Sequence, residues 1–202
     1  MIKLLVKIPR QVTLAVSGGV DSMALLDFTS RNHDVSVAFF HHGTENSEKA
    51  FQFISHYCAE KNISLFTGYL TKERPRGAGA EEHWRNERYA FLGKFGTVAT
   101  AHHLDDCVET WVWGSLHGTP QLIPSRRGNV IRPLLTTRKK VLKSWCERNN
   151  VPWVEDKSNE DTNYMRNFIR HEMMPSVLRV NPGIHTMVQK KLLDRETEVR
   201  NW

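Results

Sequence analysis

The sequence predicts an α/β protein: a Rossmann-like, five-stranded parallel sheet with helices on both faces, followed by a short helical C-terminal extension. Three observations predict it. Short apolar runs alternate with longer amphipathic ones over the first 150 residues. The first apolar run feeds straight into a Gly-Gly turn and then a helical stretch. After Pro152 no further strand pattern occurs, only polar turns and helical segments.

The elements follow in order. Val12-Thr13-Leu14-Ala15-Val16 reads as a buried strand, and the apolar stretch from Met23 to Phe28 as a helix. Val35 to Phe40 is a second strand. A helix capped by Asn46 or Ser47 runs to about Lys61, with Ala50, Phe51, Ile54, Tyr57 and Cys58 at helical spacing. Ile63 to Leu70 is a third strand. Residues 71 to 79 form a loop around Pro75, Gly77 and Gly79. A helix from Glu81 to Leu92, a strand from Thr97 to Ala101, a helix from Asp105 to Leu116, a fifth strand from Asn129 to Arg132 and a helix from about Thr137 to Asn149 complete a 1–150 domain. Residues 151–202 form the extension, with helical segments near 164–179 and 184–200.

Composition bounds the function. Apolar residues are 40% and charged residues 25%, as in soluble globular domains. No apolar run approaches the roughly 20 residues that span a bilayer, and the N-terminus does not read as a signal peptide. Cys58, Cys107 and Cys146 are scattered and odd in number. That argues against a disulfide framework or a CxxC metal site and for reduced thiols in a cytoplasmic protein. Net charge is +6, and Arg126 to Arg148 holds eight basic residues against one acid, Glu147. That clustering points to a polyanion partner such as nucleic acid; a solvated helix face is the plain alternative.

Ser17-Gly18-Gly19-Val20-Asp21-Ser22 lies between the first strand and the first helix, where ligands gather in open α/β sheets. Glycines let backbone approach and turn, and the helix start offers free N–H groups to phosphate. Asp21 beside a phosphate requires a cation between them, which suggests a Mg²⁺ ligand. The loop is not GxxxxGK[ST], since Gly93-Lys94 runs into Phe95, and it is not GxGxxG. A second constellation, Thr100-Ala101-His102-His103-Leu104-Asp105-Asp106-Cys107-Val108-Glu109-Thr110, follows the fourth strand. It admits a polar cap with Asp105 as capping residue, a His/Asp metallohydrolase site, or a metal-and-phosphate site on one helix face.

The first string resembles SGGxDS, the signature of the PP-loop (N-type) ATP pyrophosphatases. The second matches TAHHxDDxxET, the hallmark of the tRNA(Ile)-lysidine synthetase type within that superfamily. Glu81, Arg85, Arg88 and Tyr89 resemble that family's E-A-x-A-R-x-x-R-Y helix, and Arg132-Pro133-Leu134-Leu135 its RPLL. Asp156, Ser158, Asn159, Arg166, Asn167 and Arg170 resemble its D-x-S-N…R-N-x-x-R segment, and Phe40-His41-His42-Gly43 matches another string in part. The resemblance covers residues 11 to 175.

It implies an ATP- and Mg²⁺-using ligase. Cytosine O2 of a CAU-anticodon tRNA(Ile) would attack the α-phosphate, pyrophosphate would leave, and free L-lysine would displace AMP. It further implies ATP contacts from Ala15, Ser17, Gly18, Gly19, Asp21, Ser22, His41 and His102, with His41 either stacking on adenine or lining the sheet edge. Asp21, Asp105 and Asp106 would hold the metal. Asp21, Arg85, His103 and Asp106 would carry the chemistry, with His103 or a carboxylate as base toward lysine. Arg126, Arg127, Arg132, Arg166 and Arg170 would meet tRNA, the last two also bridging helices. Trp84, Trp111 or Trp113 would offer a platform for the extruded base, with packing in the core as the plain alternative for each.

Two departures matter. Gly114 to Pro120 leads only loosely toward the family's GLxGM-like string, and the family's further tRNA-gripping domains have no counterpart here, so a homodimer is one way to complete the surface. The rival expectations are a thiolase-like PP-loop enzyme and a non-catalytic tRNA- or nucleotide-binding module.

Overall fold

The first ten residues lie along the core rather than trailing from it: Ile2, Leu5, Val6 and Ile8 are buried, and the Leu5 amide donates to the Pro133 carbonyl at 2.8 Å. The structure, a computed structural model, describes residues 1–70, 79–155 and 160–200. Most of the predicted 71–79 loop, and Asp156, Ser158 and Asn159, lie outside the described residues, as does the Glu81 side chain.

Six strands, β1 (Gln11–Ala15), β2 (Asp34–His41), β3 (Ser64–Tyr69), β4 (Val98–Thr100), β5 (Arg126–Arg127) and β6 (Val130–Ile131), form one sheet in the order β3-β2-β1-β4-β6-β5. The sequence predicts five. The extra strand is β5, which turns back at Gly128 (φ 58°) and pairs antiparallel with β6, with Arg126 opposite Ile131. All other pairings are parallel. Five of the strands are thus the expected ones, and the sixth is a two-residue edge hairpin.

Alternate residues of each strand enter opposite cores, which is why both faces need helices. Val37 and Phe39 of β2, Ala99 of β4 and Ile131 of β6 join the main core. Their neighbours Ala38, Val98 and Val130 join a smaller one with Leu92, roofed by Tyr89, Phe91 and Phe95. The helices are α1 (Val20–Ser30), α2 (Glu45–Glu60), α3 (Ala80–Leu92), α4 (Leu104–Leu116), α5 (Lys139–Arg148), α6 (Met165–Phe168), α7 (Met174–Val180) and α8 (Ile184–Arg200), with a π-helical turn at Ile169–Met173. α3 supplies the roof of the smaller core, whereas α1, α2, α4 and α5 feed the main one. Helix α1 has no exposed residue, and Met23, Ala24, Leu25 and Leu26 are fully buried between sheet and neighbours.

The caps differ from expectation in two places. Thr44, not Asn46 or Ser47, caps α2, its hydroxyl accepting from the Ser47 amide at 3.2 Å. His103, not Asp105, caps α4. Asn62 and Asn150 take left-handed φ just past α2 and α5, and the next amides, Ile63 and Val151, return to Cys58 and Cys146 carbonyls. The helices after residue 164 share the main core, to which Ile169, Met174, Ile184, Val188 and Leu192 all belong.

The order of the sheet sets the position of the site. From β1 the chain steps outward to β2 and β3, then returns across the sheet to β4 on the other flank of β1. The carboxyl ends of β1 and β4 therefore flank a topological switch point, the crevice where open α/β sheets bind ligands.

Candidate functional site

Residues 16–22 leave the end of β1. Ala15, its last residue, pairs with Ala38 and Thr100. Gly18 has φ 86°, a conformation that costs a side-chain-bearing residue strain, and its carbonyl accepts from the Val154 amide at 2.9 Å. Ser22 Oγ accepts from the Ser17 amide at 3.2 Å and donates to the Gly19 carbonyl at 2.9 Å, closing the turn on itself. Among the described residues no side chain caps α1 after Gly19. Its first turn thus presents backbone donors and a positive dipole end, a cradle for phosphate.

The loop after β4 meets this cradle. His103 is 2% exposed, and its Nε2 lies 3.4 Å from Asp21 Oδ2. A capping box holds it: the Asp106 amide donates to His103 Nδ1 at 3.4 Å, and the His103 amide donates to Asp106 Oδ2 at 2.9 Å. With Nδ1 accepting, the proton of neutral imidazole sits on Nε2, facing Asp21. Burial depresses the His103 pKa, but Asp21, Asp106 and Asp105 together outweigh it and hold the ring above its ordinary value. His102, by contrast, is depressed by burial to about 3, with Asp106 opposing and Arg132, Arg166 and Arg88 reinforcing. It is a neutral ring whose Nδ1 is 2.8 Å from Thr100 Oγ1.

The acids are held by donors from distant elements. Asp106 Oδ1 accepts from Arg166 Nη2 at 2.8 Å and Arg170 Nη2 at 3.2 Å, while Arg170 grips Glu109 through Nε (2.8 Å) and Nη2 (3.0 Å). Burial alone would raise the Asp106 pKa; His103, Arg166 and His102 outweigh it and bring it to about 2. Asp105 Oδ2 accepts from the Lys139 amide at 2.7 Å, and its Oδ1 lies 3.3 Å from His185 Nε2 and 3.5 Å from Arg138 Nε. Burial opposes its ionisation, but His185, the Lys139 amide, His103 and Arg138 hold it well below the usual range.

Asp21 stands apart. Its Oδ2 faces His103 and lies 3.8 Å from Lys139 Nζ, while its Oδ1 is buried without a hydrogen-bond partner among the described residues. A Mg²⁺ bound through one protein carboxylate and substrate phosphates fits that oxygen. The donors already on Asp105 and Asp106 leave those two less available. No group of three or more His, Cys, Asp or Glu side chains is arranged to hold a metal among the described residues.

The remaining sequence-predicted residues separate. His41 is locally satisfied: Nδ1 accepts from the Gly43 amide at 3.0 Å, Nε2 is 3.2 Å from Glu48, and the ring packs on Tyr69 at 5.6 Å, which favours lining the sheet edge over stacking on adenine. Arg85 lies over the Tyr89 ring at 5.4 Å. Arg126 is exposed on β5. Arg166 and Arg170 act as helix bridges, joining the segment after residue 164 to α4. Trp111 packs on the core beneath Lys191, Trp84 borders His42, and Trp113, at the exposed end of α4, stacks on His117 with centroids 4.1 Å apart. All three cysteines are buried, and burial raises the Cys58 and Cys146 thiols to about 11 and Cys107 higher still, which disfavours thiolate sulfur transfer. Lys139 and His185 are site residues that the two motifs do not contain. Glu109 is the motif's third acid, expected on one helix face with Asp105 or Asp106, and the structure puts it beside Asp106 under Arg170.

The PP-loop domain family matches residues 2–177. Over 198 residues the chain is 32% identical to the tRNA(Ile)-lysidine synthase of Vibrio vulnificus (strain YJ016), an alignment covering 89% of this chain and 45% of that protein. It is 34% identical over 193 residues to the tRNA(Ile)-lysidine synthase of Thermosipho africanus (strain TCF52B), covering 85% and 45%. The chain thus spans under half the length of these relatives. Among solved structures, the NH3-dependent NAD synthetase of Campylobacter jejuni, in complex with nitrate, superposes with TM-score 0.50 at 14% identity, covering 95% of this chain and 87% of that one, a likeness of fold.

Proposed function

Since this chain belongs to the PP-loop domain family, we infer that it is an ATP-dependent tRNA-modifying ligase of the lysidine-forming type. One observation carries the reading: the two motifs meet, with His103 of the second 3.4 Å from Asp21 of the first. Their contact sets a phosphate cradle beside a buried cluster of acids, which suits transfer from the α-phosphate.

In the proposed reaction, O2 of the wobble cytosine of a CAU-anticodon tRNA forms a bond to the ATP α-phosphorus. The bond from that phosphorus to the bridging oxygen breaks, and its electrons leave with pyrophosphate. The amine of L-lysine then adds at C2, loses a proton, and AMP departs with the O2 oxygen. Gly18, Gly19 and the start of α1 hold the leaving pyrophosphate through backbone N–H groups. Lys139, near Asp21, adds positive charge on the same side. Asp21 would hold Mg²⁺, which would supply charge neutralisation beside the phosphates. His103 orients Asp21: with both ring nitrogens engaged it serves to position rather than to abstract a proton. Asp106 and Glu109, held in place by Arg166 and Arg170, present buried carboxylates that would orient an incoming ammonium group.

The test is incorporation of labelled lysine into an unmodified CAU-anticodon tRNA with ATP and Mg²⁺. Incorporation is expected, with loss of about 100-fold or more in Asp21→Ala. ATP cleavage to AMP and pyrophosphate without lysine incorporation would redirect the reading to another base or nucleophile. No cleavage at all would refute the catalytic reading.

A further inference from the structure

Four arginines gather around one ring on α3. The guanidinium carbons of Arg85, Arg88 and Arg127 lie 5.4, 5.6 and 5.9 Å from the Tyr89 centroid, and Arg132 Nη2 donates to the Tyr89 hydroxyl at 3.0 Å. Arg132 is 2% exposed; its Nη1 donates to the Pro124 carbonyl at 2.8 Å, while its Nε is buried with no hydrogen-bond partner among the described residues. None of the four pairs with a carboxylate among the described residues. This separates them from Arg138, Arg166 and Arg170, each of which faces an acid in the same region.

Contacts with an aromatic face offset part of the repulsion between the guanidiniums but neutralise none of it. Burial depresses the Arg88 pKa, and Arg85, Arg166 and Arg132 depress it further against the opposing pull of Tyr89. Among the described residues the cluster has no anion, and the planar forks suit a phosphate held by paired contacts.

The position of the cluster decides which phosphate. Arg132 follows β6, and the Gly-Gly cradle follows β1, with β4 between them. At one strand spacing per step the two sites stand roughly 10 Å apart, on either side of His102 and His103. The cradle takes the triphosphate, so the arginines face what approaches from the other flank. On the same helix Trp84 lies beside His42, 5.8 Å between centroids, setting aromatic faces next to the guanidiniums as in sites for unpaired nucleic acid strands.

We propose that Arg85, Arg88 and Arg127 around Tyr89, a ring that buried Arg132 holds in place through its hydroxyl, form a seat for a backbone phosphodiester of the RNA substrate, adjacent to the nucleotide being modified. The proposal rests on the tRNA reading above.

The test measures RNA and ATP binding separately, using the whole chain and an unmodified CAU-anticodon tRNA. Arg127 is exposed, so Arg127→Ala leaves folding intact; Arg88→Gln is the second variant. Each is expected to weaken tRNA binding about 10-fold at moderate salt and to reduce the slope of log affinity against log salt by about one, with ATP affinity by equilibrium dialysis unchanged. Loss of ATP affinity with tRNA affinity intact would assign the arginines to the nucleotide and overturn the proposal. An unchanged salt slope in both variants, or no tRNA binding by the unsubstituted chain, overturns it as well. Because the binding assay needs no lysine, a chain that grips tRNA through these arginines yet makes no lysidine would refute the lysidine-forming reading and leave the phosphate seat standing.

Discussion

Replacing Arg170 with methionine keeps most of the side-chain volume and removes three charged hydrogen bonds: two to Glu109 at 2.8 and 3.0 Å and one to Asp106 at 3.2 Å. The acids it holds are 8% and 7% exposed, and Arg170 itself 22%. Breaking a buried pair by removing one partner costs about 3–5 kcal/mol, because the other charge stays behind unpaired. Arg166 still reaches Asp106 at 2.8 Å, so the lower end applies, about 3 kcal/mol. At about 3 °C per kcal/mol for a chain of this size, the melting temperature should fall by about 9 °C. Urea and thermal melts of Arg170→Met, Glu109→Gln and the double variant form a cycle. The double variant should recover much of the loss, since it leaves neither charge stranded. A single-variant loss below about 1 kcal/mol with no coupling would place the contact among ordinary surface pairs and refute the clamp.

The acid limb of stability reports on Asp106. Its folded pKa, about 2, lies below that of an unfolded aspartate, so its contribution is present above about pH 4 and is lost as pH falls through about 2. The unfolding free energy from urea melts should therefore fall by about 2 kcal/mol across that window, and Asp106→Asn should flatten the fall. Gly114→Ala should destabilise by about 1–3 kcal/mol, because an added Cβ would sit 2.6 Å from the Thr119 carbonyl oxygen; a melt within 1 °C of the parent would show that the 117–121 loop yields freely.

What could be read from the sequence was local. The Gly-Gly turn, the strand before it and the His-His-Leu-Asp-Asp string are contiguous, so spacing alone placed both motifs at strand ends. β5 escaped notice because two arginines and a glycine carry no alternation; only its pairing with β6 makes it a strand. The Arg170–Glu109 clamp joins residues 61 apart, and Asp105 meets His185 across a wider span, so neither partner could be matched by periodicity. The helix expected over 164–179 is broken by the wide turn at Ile169–Met173. Pro175 explains it: proline supplies no amide, and its ring crowds the carbonyl one turn back, so the backbone opens just before it. That opening falls at Arg170, one of the two arginines that reach α4.

The last helix also dictates when the centre can exist. Ile184, Val188 and Leu192 are part of the core, His185 reaches Asp105, Gln189 donates to the Thr136 carbonyl, and Ser125 donates to Glu196. Loops of such length close late in folding. A nascent chain emerging from the ribosome can pair β1, β2 and β4 early, but it leaves Asp105 without His185 until α8 has cleared the exit tunnel and docked. Assembly of the site therefore waits on α8.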